Sequence, residues 1–132
     1  CPHRCKGCQN PRSWNINQGV EFTAEEVVDY LVEKYHAGRY QGITFSGGDP
    51  LYQSEALHEV LSLLRKAIPD INIWCYTGYR FEDIQDKRVL SLVDVLVDGL
   101  FEKEKMYPRK KFRGSNNQRI LHLKNGQIEF IE

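Results

Sequence analysis

The chain predicts an α/β fold built on a mostly parallel sheet, and three observations carry that prediction. Short β-rich runs alternate with amphipathic helical stretches through residues 20–100, the order that parallel strands joined by crossover helices require. The 132 residues suffice for one hydrophobic core, yet fall below the roughly 200 to 250 that a closed eight-stranded (βα) barrel needs. No repeat, low-complexity tract or linker divides the chain. It therefore reads as one domain over 1–132, with a cysteine loop at 1–8, a core at 20–100 and a C-terminal loop and strand region at 101–132.

Thr23-Ala24-Glu25-Glu26 has the spacing of a capping box, and Phe22 with Val27 has that of a hydrophobic staple. Val27, Val28, Leu31, Val32 and Tyr35 then recur at helical intervals up to Gly38. Gly42 to Ser46 is a strand signal ended by Gly47-Gly48-Asp49-Pro50, and Leu57, Val60, Leu61 and Leu64 mark a second amphipathic helix that Pro69 closes. Ile71 to Thr77 reads as the next strand, stopped by Gly78, with a short helical stretch through Phe81 and Ile84. Val93 to Asp98 is another strand. Gln118 to Leu123 and Gln127 to Ile131, separated by Lys124-Asn125-Gly126, have the pattern of a hairpin. The other arrangement open to this tail is that Ile120 to Leu123 joins the parallel sheet while the last residues trail along an edge.

Eighteen basic residues balance eighteen acidic ones, so the chain lacks the positive field of a general nucleic-acid binder. No apolar run approaches the roughly 20 residues that cross a bilayer. Cys1 stands where an initiator methionine would, which predicts further chain before it. Three of the four cysteines fall within the first eight residues, while Cys75 lies alone in an apolar strand signal. Clustering of that kind favours a metal site in a reducing compartment over a disulfide framework, and so a cytoplasmic protein.

Cys1-Pro2-His3-Arg4-Cys5-Lys6-Gly7-Cys8 spaces its thiols as C-x3-C-x2-C, close enough for one loop to wrap one centre. Thiolates suit an iron-sulfur cluster or zinc. A cubane 4Fe-4S cluster held by three cysteines keeps one iron open, and an open metal position is the mark of a catalytic site. The alternative is a structural zinc knuckle with His3 as fourth ligand, which spacing alone leaves open.

These residues resemble the radical S-adenosylmethionine (SAM) superfamily, and within it the family of small activating proteins of anaerobic (class III) ribonucleotide reductase. The resemblance runs through the cysteine loop, Ser46-Gly47-Gly48-Asp49-Pro50-Leu51, Tyr76-Thr77-Gly78-Tyr79, Val97-Asp98-Gly99 and Arg113-Gly114-Ser115-Asn116-Asn117-Gln118-Arg119, in order along nearly the whole chain. It implies a partial (βα) barrel of mostly parallel strands, radical SAM in type, whose first strand would precede Cys1. Cys1, Cys5 and Cys8 would then ligate the 4Fe-4S cluster. Gly7, Cys8 and Gln9 would lie beside SAM, Gln9 standing where the family places an aromatic.

The resemblance further implies that the loop from Ser46 through Gly47, Gly48 and Asp49 holds the methionyl amino group, with the Gly48 carbonyl and Asp49 as acceptors. Thr77 and its neighbours would reach the ribose or adenine. Asp98 would either hydrogen-bond the ribose or cap the following turn. The expected reaction is one-electron cleavage of SAM to a 5'-deoxyadenosyl radical, which takes hydrogen from a glycine on the large reductase subunit. A low-potential donor such as flavodoxin would supply the electron. Other small radical SAM enzymes, a zinc-binding interaction module and a plain electron carrier are the competing readings. Lys103, Lys105, Arg109, Lys110, Lys111 and Arg113 form a basic stretch, by default a solvated loop and otherwise a docking surface.

Overall fold

Thr23 and Glu26 do close a capping box: the Glu26 amide donates to Thr23 Oγ1 at 3.1 Å, and the Thr23 amide to Glu26 Oε1 at 3.0 Å. Helix α1 (Ala24–Ala37) starts from it. Phe22 stays 65% exposed, so the polar box rather than the expected staple fixes the chain's entry. The computed structural model of the chain describes residues 1–8, 10–15, 19–106 and 111–132. After α1 come β1 (Gly42–Phe45), α2 (Ser54–Ala67), β2 (Asn72–Tyr76), α3 (Lys87–Leu90), β3 (Val95–Asp98), β4 (Arg119–Lys124) and β5 (Gln127–Ile131).

The strands form one sheet in the order β1-β2-β3-β4-β5. β1 pairs parallel with β2, and β2 with β3, setting Ile43 opposite Ile73 and Cys75 opposite Leu96. β4 then runs antiparallel to β3, and β5 antiparallel to β4. The sheet is therefore evenly mixed rather than mostly parallel. Its change of direction has a local cause, because among the described residues between β3 and β4 there is no α-helix to carry the chain back across the sheet. The tail is the hairpin that Asn125-Gly126 signalled: both residues are left-handed, at φ +53° and +79°, the requirement of a two-residue turn that follows strand twist.

The sheet's two faces are buried differently. On one, Ile73, Cys75, Leu96, Leu121 and Leu123 meet Leu57, Leu61 and Leu64 of α2 and Val89 and Leu90 of α3. Leu61 and Leu64 are fully enclosed, each worth about 1.5–3 kcal/mol of burial. On the other face Val95, Val97 and Ile120 pack with Trp74 and Tyr76, and the Phe112 ring covers Trp74 at 5.4 Å. Arg65 at the end of α2 ties the bottom of the sheet together, donating to the carbonyls of Ile71 and Leu92 and to Asp94 Oδ2 at 2.6–2.9 Å. Among the described residues no helix is long and apolar enough to cross a membrane.

Candidate cofactor site

The loops that follow β1, β2 and β3 all open at one end of the sheet, and the cysteine loop folds over them. Cys5 and Cys8 close a tight turn through a hydrogen bond from the Cys8 amide to the Cys5 carbonyl at 3.1 Å, with Gly7 left-handed at φ +78° inside it. The Cys8 sulfur accepts from the Asn10 amide at 3.3 Å, the kind of hydrogen bond that tunes a cluster thiolate. Cys1, Cys5 and Cys8 line one cavity of about 400 Å³ together with Ser46, Gly47, Gly48, Asp49 and Thr77. That volume lies within the range of small-molecule sites.

Asp49 is the point where three loops meet. Its side chain is 1% exposed. Oδ1 accepts from the Leu51 amide at 3.0 Å and Oδ2 from the Gly78 amide at 2.9 Å, while the Thr77 hydroxyl donates at 2.9 Å to both oxygens. His3 Nε2 completes the set on Oδ2. A carboxylate offers about four acceptor positions, and protein donors fill them. The Asp49 carboxylate thus braces the loops around the cavity that it lines. The Gly48 backbone beside it stays open to the cavity.

Asp98 is 1% exposed and does not line the cavity. Its carboxylate accepts from Arg119 Nε at 3.0 Å and from the Phe81 amide at 2.8 Å, contacts that fasten the turn after β3. Gly7 shapes the cysteine turn without lining the cavity; the Lys103 side chain lies against it, 3.1 Å from where a Cβ would stand. The basic stretch therefore borders the cysteine loop at Lys103. Gln9, Arg109 and Lys110 lie outside the described residues.

The rest of the cavity wall was not legible in advance. Trp14, Phe101, Gly114 and Gln118 line the same cavity as the cysteines. Gln118 ties the Gly114 and Gly99 backbones together, its Oε1 accepting from the Gly114 amide at 2.8 Å and its Nε2 donating to the Gly99 carbonyl at 3.0 Å. Gly114 and Gln118 belong to a motif that stood out in the sequence, whereas nothing marked Trp14. Arg4, left-handed at φ +48°, stacks its guanidinium over the Trp14 ring at 5.6 Å. Cys75 stands apart from the other thiols: burial first, and the Asp49 charge second, push its thiol up to about 12, so it stays protonated and inert. Burial, with Asp49 and Tyr52 nearby, likewise raises the Tyr79 phenol.

The residues present fit a thiolate-bound cluster with a second ligand beside it. Among the described residues no three His, Cys, Asp or Glu side chains converge closely enough for one metal ion, and His3 is directed at Asp49. Thiolates that share one cavity are the soft ligands that suit an iron-sulfur cluster. Trp14 Nε1 is buried without a hydrogen-bond partner among the described residues, a donor at the cavity wall that an incoming ligand would satisfy.

Comparison with known proteins agrees. Residues 1–121 match the family model described as a 4Fe-4S single cluster domain, so the fold and its cysteine loop define a protein of the single-cluster iron-sulfur class. Its relatives are more particular. Over 131 residues the chain is 40% identical to the anaerobic ribonucleoside-triphosphate reductase-activating protein of Enterobacteria phage T4, covering 96% of this chain and 81% of that one. The proteins of the same name from Haemophilus influenzae (38% over 129 residues; 92% and 81%) and Escherichia coli K12 (35% over 130 residues; 94% and 84%) are similarly close. The chain belongs to the family of anaerobic ribonucleoside-triphosphate reductase-activating proteins. No solved structure matches it.

Proposed function

We propose that the protein activates anaerobic ribonucleotide reductase by radical SAM chemistry, with Cys1, Cys5 and Cys8 holding a 4Fe-4S cluster. The observation that carries this reading is the single cavity that those three thiols share with the glycine loop after β1 and with Thr77. When bound, the cluster and SAM would supply the one-electron radical chemistry that converts a glycine of the reductase to its glycyl radical. This chain's residues orient and enclose. The Ser46 to Gly48 backbone would hold the methionyl end, Thr77 and the Trp14 ring would border the rest of the ligand, and Phe101 with Gln118 would limit water.

The large reductase subunit is the macromolecular substrate, presenting its glycine on a loop that must enter the cavity. The five-stranded sheet is read as the core of an incomplete barrel whose open flank admits that loop. A low-potential donor such as flavodoxin, in the cytoplasm, supplies the electron. The test is electron paramagnetic resonance of anaerobically reconstituted, dithionite-reduced protein with and without SAM. A reduced 4Fe-4S signal that shifts on adding SAM, followed by a glycyl radical when the reductase is added, is the expected result. A cluster signal indifferent to SAM would leave an electron carrier instead.

A further inference from the structure

We infer that His3 is a positioning residue that holds the cysteine loop on the sheet by docking against Asp49, Gly78 and Tyr79, without itself being a cluster ligand. His3 is the only side chain between Cys1 and Cys5 that can both donate a hydrogen bond and insert between packed groups, since its neighbours are Pro2 and the Arg4 that covers Trp14. Its Nε2 meets Asp49 Oδ2. Its ring stands edge-on to Tyr79 at 4.6 Å and 72°, and its side chain is 14% exposed.

The neighbours are cut to receive it. A Cβ on Gly78 would lie 2.6 Å from His3 Cδ2 and 2.8 Å from Nε2, closer than non-bonded atoms tolerate, so Gly78 is the residue that lets the ring seat. Asp49 in turn is held by the Thr77 hydroxyl and by the Gly78 and Leu51 amides. It is a fixed target rather than a mobile surface acid. The loop's internal ties, the Cys8-to-Cys5 turn and the Asn10 amide on Cys8, shape the loop, whereas the His3 contact spans 46 residues to anchor it on the sheet. The arrangement parallels the carboxylate-histidine pairs that orient metal ligands, with the histidine displaced from ligation and the thiolates on either side of it placed instead.

The inference rests on the three-cysteine cluster proposed above, and its test separates the two. Wild type, His3→Ala, His3→Gln and Gly78→Ala are reconstituted anaerobically. Each is then scored for iron and sulfide per chain, for the rate at which a ferrous chelator strips the cluster, and for nitrogen hyperfine coupling in the reduced spectrum. Disabling an outer partner of this kind costs about 10- to 100-fold in metal retention. His3→Ala and Gly78→Ala are expected to lose iron about tenfold faster or more, with His3→Gln, which keeps a donor, recovering part of the loss. The melting temperature of cluster-free His3→Ala should stay within about 4 °C of wild type, which separates loop placement from general unfolding.

Iron loss within twofold of wild type in both His3→Ala and Gly78→Ala overturns the inference. So does histidine nitrogen coupling that disappears in His3→Ala, because it would make His3 a ligand. A wild-type cluster that ignores SAM would sink the SAM reading and leave the latch standing, since the latch is scored on iron retention alone.

Discussion

Asp49 and Asp98 occupy similar places and do different things. Each lies at the carboxyl end of a parallel strand, Asp98 as the last residue of β3 and Asp49 in the loop after β1, each has a buried carboxylate, and each has a left-handed glycine within two residues, Gly47 at φ +106° and Gly99 at φ +100°. Asp98 is engaged chiefly by one cation, Arg119 from β4, which is also shared with Glu82 at 2.9 Å. Asp49 is engaged by neutral donors of its own rim and by a histidine from the cysteine loop. The partner, and not the residue or its place on the strand, decides which acid fastens the sheet and which one builds the cavity.

The largest way to break this contrast is Arg119→Ala. It leaves the enclosed Asp98 carboxylate with the Phe81 amide and no cation, and stranding a buried charge costs about 3 kcal/mol. A fall of that size in denaturant unfolding, with iron retention unchanged, keeps the two acids distinct; a fall below about 1 kcal/mol would make them equivalent. Asp49→Ala comes next. It strips the Thr77 hydroxyl and the Gly78 and Leu51 amides of their acceptor, for about 2 kcal/mol, and it also loosens the cysteine loop, so stability and iron retention should fall together. His3→Ala should cost the cluster-free protein about 1 kcal/mol or less, because Asp49 keeps its other donors.

The smallest effect concerns Glu82, whose hydrogen bonds from Arg119 hold its carboxyl down to about 2 from an ordinary value of 4.5. A depressed carboxyl stabilises the fold above its unfolded value and loses that contribution as pH falls through the folded one. Glu82 is half exposed, so solvent screening leaves roughly a few tenths of a kcal/mol. Glu82→Gln should therefore fall slightly below wild type near neutral pH in thermal melts, with the gap closing as pH falls toward about 2. A gap that failed to close in acid would show that the Glu82 carboxylate does not carry the pH dependence.

Much of the fold was legible because its signals are local. The Thr23-Glu26 box and the Asn125-Gly126 turn are each written within four residues and appear as read. The one-turn helix α3 (Lys87–Leu90) was missed since four residues carry no period. The direction of β4 was open because two apolar strands joined by a long loop satisfy either pairing. The site divides along the same line. C-x3-C-x2-C spacing and the glycine loop point to the cavity from sequence, but the fates of the two acids depend on His3, 46 residues from Asp49, and Arg119, 21 residues from Asp98. No spacing rule relates residues so far apart.

The distance between His3 and Asp49 also orders events in time. Asp49 acquires its full set of donors only once Thr77 and Gly78 have arrived at the end of β2, and β2 reaches β1 only by closing the long loop through α2. Contacts across long loops form late, after the local turns and helices. The cysteine loop then gains its anchorage near the end of folding, so under the ligation proposed above a half-folded chain would present its three thiols as a loose chelator, and iron would be gripped firmly only by molecules whose parallel strands are already joined.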